Sequence, residues 1–349
     1  MLKRTAVVLL TVVVGVYVAI WAANLGGSAD ELRRETVKTS VTMSFMGNTE
    51  YTALPLEDRQ QILSEALAVA YAEADLDRPF FLRSFRYLAD ALSLSLGEAR
   101  VMTTPVIGSH DVRDILLHGL PATAMLFAAA NLLTFLVSLA LSLVLAGRYG
   151  SFLDRAVTLL IPAFTAPPWL YGIFLIILFA SIAGVLPYGG YVDTPPPGSA
   201  LGYSVSVLKH MVLPVIAWMF GSVAFALYTN RAFFLIYSKE DYVELAKAKG
   251  LRRSRVQRRY LLRPTLPPIL TNFAFTMIVA WEGAILTEYV FAWPGLGSTL
   301  LDAIRMQEAA VVTGAVAVFA YFLAACVLLL DVAYALVDPR VKLGSGRRS

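Results

Sequence analysis

Residues Ile115–Gly147 contain no Asp, Glu, Lys or Arg, and this unbroken apolar run constrains the chain more than any other feature. A helix of about 20 mostly apolar residues crosses a bilayer core of about 30 Å. A run of this length therefore reads as a membrane span, and five further stretches meet the same test. Thr5–Ala29, Ala156–Val192 and His210–Asn230 are free of charge, Pro264–Phe291 holds only Glu282 and Glu288, and Ala309–Val337 holds only Asp331. In hydrocarbon each unpaired backbone group costs several kcal/mol, so spans are helices or closed barrels. Runs without apolar/polar alternation exclude the barrel. The expected fold class is an all-α polytopic membrane protein with six transmembrane helices.

Composition points the same way. Of 349 residues, 58% are hydrophobic and 15% charged, whereas soluble domains carry nearer 25% charged residues. Mean hydropathy is +0.66. The net charge of +4 would suit nucleic acid, but the basic residues sit beside apolar runs rather than in a patch, so no nucleic-acid partner is expected. The one cysteine, Cys326, excludes a disulfide framework within the chain. The three histidines, His110, His118 and His210, make no metal constellation, and His210 reads as an anchor at the start of a span. Lys3 and Arg4 ahead of the first run also suit a cleaved signal peptide; the length of the run and the helices that follow favour a retained first span.

Lys and Arg in short loops set orientation. With the N-terminus inside, eighteen of them face the cytoplasm and the short outer loops hold only Lys209 and Arg305. Both termini are then cytoplasmic. The chain divides into a first transmembrane helix (1–29), an outer helical insertion (30–114), a transmembrane core (115–338) containing a cytoplasmic loop at 238–264, and a basic tail (339–349). Within the insertion, helical spacing of apolar residues predicts helices over Leu56–Glu73 and Pro79–Leu96, the second ended by Gly97. The Pro- and Gly-rich segment 187–208 is expected to be irregular.

The cytoplasmic loop holds the densest basic cluster, "DYVELAKAKGLRRSRVQRRYLLRP" at 241–264. It reads as two short helices. Tyr242, Leu245, Ala246 and Lys249 share one face of the first, Gly250 suits the left-handed residue after a helix, and Ser254 with Gln257 suits a capping box for the second. Positive-inside topology and attraction to anionic lipid account for the charge. They leave unexplained the small residues Ala246, Ala248 and Gly250, which let another surface approach the backbone.

"ELAKAKG" (244–250) resembles the cytoplasmic loop motif of ABC-importer permeases, and other stretches resemble the dipeptide, oligopeptide and nickel branch of that family in order. These are "LDRPFFLRSFRYLADALSLSLG" (76–97), "LPATAMLF" (120–127), "GSFLDR" (150–155), "LPYGGY" (186–191), "HMVLP" (210–214), "TEYVFAWPGLGSTLLDAI" (287–304) and "YALVDPRVK" (334–342). Leu245 departs from the motif's alanine, Glu282 stands where a small or apolar residue is expected, and residues 30–70 match nothing. The resemblance implies a type I ABC importer permease fold. It further implies an inner-membrane subunit paired with a homologous second permease, two ATPase subunits and an extracellular substrate-binding protein. Glu244, Ala246 and Gly250 carry the motif, with Asp241, Tyr242, Lys249 and Leu251 as flanking contacts to the ATPase. The chain has no phosphate-binding Gly-rich loop, so ATP and Mg²⁺ belong to the partners and no cofactor is expected here.

Two intramembrane residues are candidates for a translocation pathway: Glu282, because a carboxylate in a span is costly and faces a bundle or water, and Asn131, for which a bond to another helix is the alternative. Glu288 and Asp331 read as structural. Pro162, Pro167, Pro168 and Pro214 are expected to kink their helices, and "FAWPGLG" (291–297) reads as a tight turn on the outer side. A membrane-embedded enzyme is the first competing reading, but no spacing suggests a triad or a zinc site. A channel or anchoring subunit gives no reason for the capped basic loop.

Overall fold

A computed structural model describes residues 2–23, 28–46, 51, 54–105, 107–164, 166–279 and 281–337, and all their regular structure is helical. The predicted tail 339–349 lies outside the described residues, as do the side chains of Glu282 and Asp331, although their backbones are helical. Three described helices are long and apolar enough to cross a membrane, within Val112–Ala146, Ala200–Tyr237 and Ala310–Leu329; Leu9–Ala22 and Pro168–Ile182 are shorter apolar helices. The described residues divide into two compact units, one within 117–302 with 325–337, and the other within 2–116 with 303–324.

The second of these contains α1 (Leu2–Ala23), α2 (Ser28–Met46), α3 (Leu56–Glu73), α4 (Phe80–Ser93) and the first half of the last helix. The α3 boundaries match the periodicity. Helix α4 ends earlier than expected: Leu94 closes it in the left-handed conformation (φ 56°), with Ser95 N–H donating back to Asp90 O at 2.9 Å, and Gly97, also at positive φ (+74°), lies three residues beyond. Nothing in a leucine announces this, since its side chain disfavours that region. Residues of the predicted insertion pack against α1 and the last helix. Val12, Val16 and Ile20 of α1 form one core with Ala91, Ala317 and Ala324, and the Tyr321 hydroxyl donates to Leu92 O at 2.7 Å.

The first unit is built on α5 (Val112–Ala146), α6 (Phe152–Leu160), α7 (Pro168–Leu175), α8 (Ala200–Tyr237), α9 (Asp241–Ala248), α10 (Arg263–Val279), α11 (Trp281–Val290), α12 (Leu296–Arg305) and the end of α13 (Ala309–Val337). Asp111 caps α5 by accepting from Arg113 N–H at 2.8 Å. The predicted span 156–192 is broken rather than kinked. Helix α6 passes into a 3₁₀ turn (Ile161–Phe164), then Pro167 is extended (ψ 148°) and Pro168 opens α7, which continues as π turns over Ile176–Ile182. Proline lacks the N–H for the helix ladder and restrains its predecessor, so paired prolines stop and restart a helix. Pro214, by contrast, lies inside the continuous helix α8. That helix begins at Ala200, so residues 200–208 are not irregular as predicted. Ser199 starts it early by accepting from Gly202 N–H at 3.0 Å.

Candidate functional site

The loop at 241–263 is a rigid elbow. Helix α9 closes in two bonds: Gly250 N–H donates to Lys247 O at 2.9 Å and Leu251 N–H to Ala246 O at 3.3 Å. With Gly250 at φ +70° this is a Schellman joint, as the glycine predicted. The second limb begins two residues earlier than the proposed capping box. Arg252 is the N-cap, with no side-chain cap, and Ser254 lies inside the turn Arg253–Arg255. That turn opens into π turns Val256–Leu262 and runs on into α10.

The two limbs pack on each other. Val243, Ala246 and Val256 are buried together with Leu251 and Tyr260 against them. The predicted shared face of α9 is therefore split. Ala246 is 2% exposed, whereas Tyr242 and Leu245 are 37% and 57% exposed. Ala246 is small so that the chain's own second limb can approach, and it offers nothing outward. Asp241, Tyr242, Glu244, Leu245, Lys249 and Gly250 line the free side.

The elbow is keyed to the helices above it. A Cβ on Gly147, just after α5, would run into the Gln257 side-chain amide, which lies against the Gly147 backbone and joins the second limb to α5. Phe234 of α8, Leu261 and Ile269 form a core that also takes Phe135, Leu139 and Leu143 of α5. Beside it, Arg231 at the foot of α8 donates from Nε and Nη2 to the two oxygens of Asp154, at 2.6 and 2.7 Å. Asp154 also accepts from Gly150 N–H at 3.0 Å, and its own N–H donates to the Ser151 hydroxyl. The Arg231 hydrogen bonds hold the Asp154 carboxyl below the usual carboxylate range, against the opposing effect of burial. Sequence reading missed this pair because its members are 77 residues apart; an acid at the third position after a capping serine is the only local signal.

At the other end of α5 lies a second constructed feature. The Glu288 side chain is 1% exposed. It accepts from the Thr123 hydroxyl at 2.6 Å, from Gly297 N–H at 2.7 Å and from Ser298 N–H at 3.0 Å. It thus caps α12 where Gly295 has no side chain to do so; a Cβ on Gly295 would collide with that carboxylate. Trp293 is fully buried and donates from Nε1 to Ala122 O at 3.0 Å. The "FAWPGLG" turn is accordingly fixed to α5, and Glu288 is structural, as expected.

Between the two ends, a narrow polar cleft of about 20 Å³ runs among three helices. Asn131, Thr134 and Ser138 of α5 line it with Asn230 of α8 and Asn272 and Thr276 of α10. Asn131 donates to Phe127 O of its own helix at 2.9 Å rather than to a neighbour, while Asn230 reaches the Ser138 hydroxyl at 3.3 Å. Asn131, Thr134 and Ser138 share one face of α5 by helical spacing, but only the structure brings that face to Asn230, Asn272 and Thr276.

Long apolar helices joined by a helix-built elbow, with backbone polar groups satisfied internally, are the build of a multi-pass membrane protein. Residues 116–343 match the family model for the binding-protein-dependent transport system inner membrane component. The chain belongs to that family and is a transport permease subunit. It is 30% identical over 292 residues to the di/tripeptide transport system permease protein DppB of Pseudomonas aeruginosa, across 79% of this chain and 84% of that one. Against the dipeptide transport system permease protein DppB of Escherichia coli K12 the identity is 30% over 299 residues, covering 80% and 86%. The chain's fold is similar to that of a chain of the MetNI methionine ABC transporter in an inward-facing form, with TM-score 0.52 and 18% identity over 66% of this chain and 99% of that chain.

Proposed function

We propose that this chain is one of two permease subunits of an ATP-driven importer, and that the elbow at 241–263 takes up the motion of a cytoplasmic ATPase. The observation that carries the proposal is the division of α9: Val243 and Ala246 are spent on internal packing, while Tyr242 and Leu245 stay exposed with Asp241, Glu244 and Lys249 around them. An exposed tyrosine and leucine on a rigid, anchored helix suit a groove in another protein. ATP and Mg²⁺ are bound by the two ATPase subunits, and an extracellular binding protein delivers the cargo. Closure of the ATPase pair displaces the elbow. Because the elbow meets α5 through Gln257 at Gly147 and α8 through the packing of Leu261 on Phe234, the displacement reaches both helices and shifts the permease pair between its two open states.

The relatives that share about 30% identity are peptide permeases, and short peptides are the proposed cargo. In this reading the membrane is crossed six times, by α1, α5, the broken α6–α7 segment, α8, the α10–α11 segment and α13, with both termini in the cytoplasm. The polar cleft around Asn131 and Asn230 belongs to the pathway, since peptide amides need hydrogen-bonding groups along an apolar route. Glu282, on α11, is assigned to the same pathway from its place in the span. Co-purification tests the central claim. The wild-type chain, expressed with its ATPase subunits, retains them through affinity purification. The double variant Y242R/L245R loses them while keeping the melting temperature of the isolated permease. Undiminished retention by that variant refutes the docking role.

A further inference from the structure

A larger cleft lies beside the Glu288 turn, at the end of the unit away from the elbow. Its volume is about 670 Å³, within the range of small-molecule sites, which are mostly apolar with a few placed polar groups. Ile173, Ile176 and Ile177 form one wall and Trp293 another, while Ser298 and Asp302 supply polar atoms. Most of the polar groups here are already committed. The Trp293 indole N–H is held by Ala122 O, the Ser298 hydroxyl by backbone oxygens of Trp293 and Gly295, and the Glu288 carboxylate by the α12 cap. Asp302 is different: it is partly buried, it lines the cleft, and its side chain makes no hydrogen bond or ion pair among the described residues. The isoleucine wall also belongs partly to the π turns at Ile176–Ile182, a form of helix that recurs at functional sites.

A carboxylate without a protein partner at the edge of an apolar slot complements an organic ammonium attached to an apolar body. We infer that this cleft is a subsite for the free amino terminus of a short peptide, with Asp302 receiving the ammonium group and Ile173, Ile176 and Ile177 receiving the adjoining apolar side chain. The inference rests on the importer reading above, in which this end of the bundle faces the binding protein and meets cargo first.

The test uses the complete transporter in proteoliposomes, with its second permease, ATPases and binding protein, and Ala-Ala as the probe. Two readings are taken, peptide uptake and binding-protein-stimulated ATP hydrolysis. For D302N the expected result is uptake lowered about tenfold, the scale of one lost charge-assisted hydrogen bond, with stimulated hydrolysis unchanged. D302E, which restores the charge, recovers most of the uptake. I177W, which fills the cleft without touching the charge, also lowers uptake. Wild-type uptake from both D302N and I177W overturns the subsite. Loss of stimulated hydrolysis along with uptake in D302N also overturns it, assigning Asp302 to subunit assembly. Failure of the unmodified transporter to import any peptide counts against the peptide cargo itself, so the two failures are separable.

Discussion

Gly250 offers the sharpest test of the elbow as a rigid element. Its φ is +70°, yet a Cβ built there meets nothing within 4 Å. Substitution therefore perturbs backbone conformation alone, without a clash. An L-residue in the left-handed region costs about 1–2 kcal/mol, so G250A opens the joint about 5- to 30-fold more often. G250V costs more, because a β-branched side chain tolerates this region worst. G250N costs least, since asparagine visits it readily. Opening frees the bonds from Gly250 N–H to Lys247 O and from Leu251 N–H to Ala246 O, and uncovers a trypsin-sensitive stretch containing Lys247, Lys249 and Arg252. Limited trypsin digestion of the purified permease reads that open population directly when closing outpaces cleavage. The expected order of cleavage rate is wild type, Asn, Ala, Val, and the amount of peptide moved per ATP falls in the same order. Equal rates for all four proteins refute the idea that this glycine holds the elbow shut. An asparagine variant as sensitive as the valine refutes the conformational explanation.

Three further outcomes follow from the geometry. Asp154 has a folded pKa below its unfolded value, so its stabilisation is present above about pH 4 and is lost as pH falls through the folded value. D154N should melt lower at neutral pH, by about 3 kcal/mol for a broken buried pair, and lose less than wild type on acidification; parallel melting curves from pH 7 to 3 contradict this. At Glu288, the alanine variant strands the Gly297 and Ser298 N–H groups and costs about 2 kcal/mol or more, while G295A drives a methyl into the carboxylate and destabilises comparably; thermal unfolding in detergent decides. N131A and N230A should slow peptide uptake while leaving ATPase co-purification intact, and unaltered uptake in both removes the polar cleft from the proposed pathway.

Much was decided by the chain locally. Uncharged runs such as Ile115–Gly147 are helices because a bilayer leaves the backbone no other way to satisfy itself over that length. Gly250 closes α9 because the conformation needed there is one that only residues without a Cβ adopt freely. The paired prolines at 167 and 168 interrupt their helix for a reason contained in their own rings. Tertiary structure decided what those elements do to each other. Periodicity put Ala246 on a face with Tyr242 and Leu245, but only the return of the second limb, with Val256 against it, buried one and left the others free. The Asp154–Arg231 pair, the Glu288 cap and the grouping of Asn131 with Asn230 join residues far apart in the chain. Leu94 adopts a conformation its side chain resists. Such outcomes depend on which helices approach and at what depth, a balance summed over whole packed surfaces, and no local spacing carries that sum.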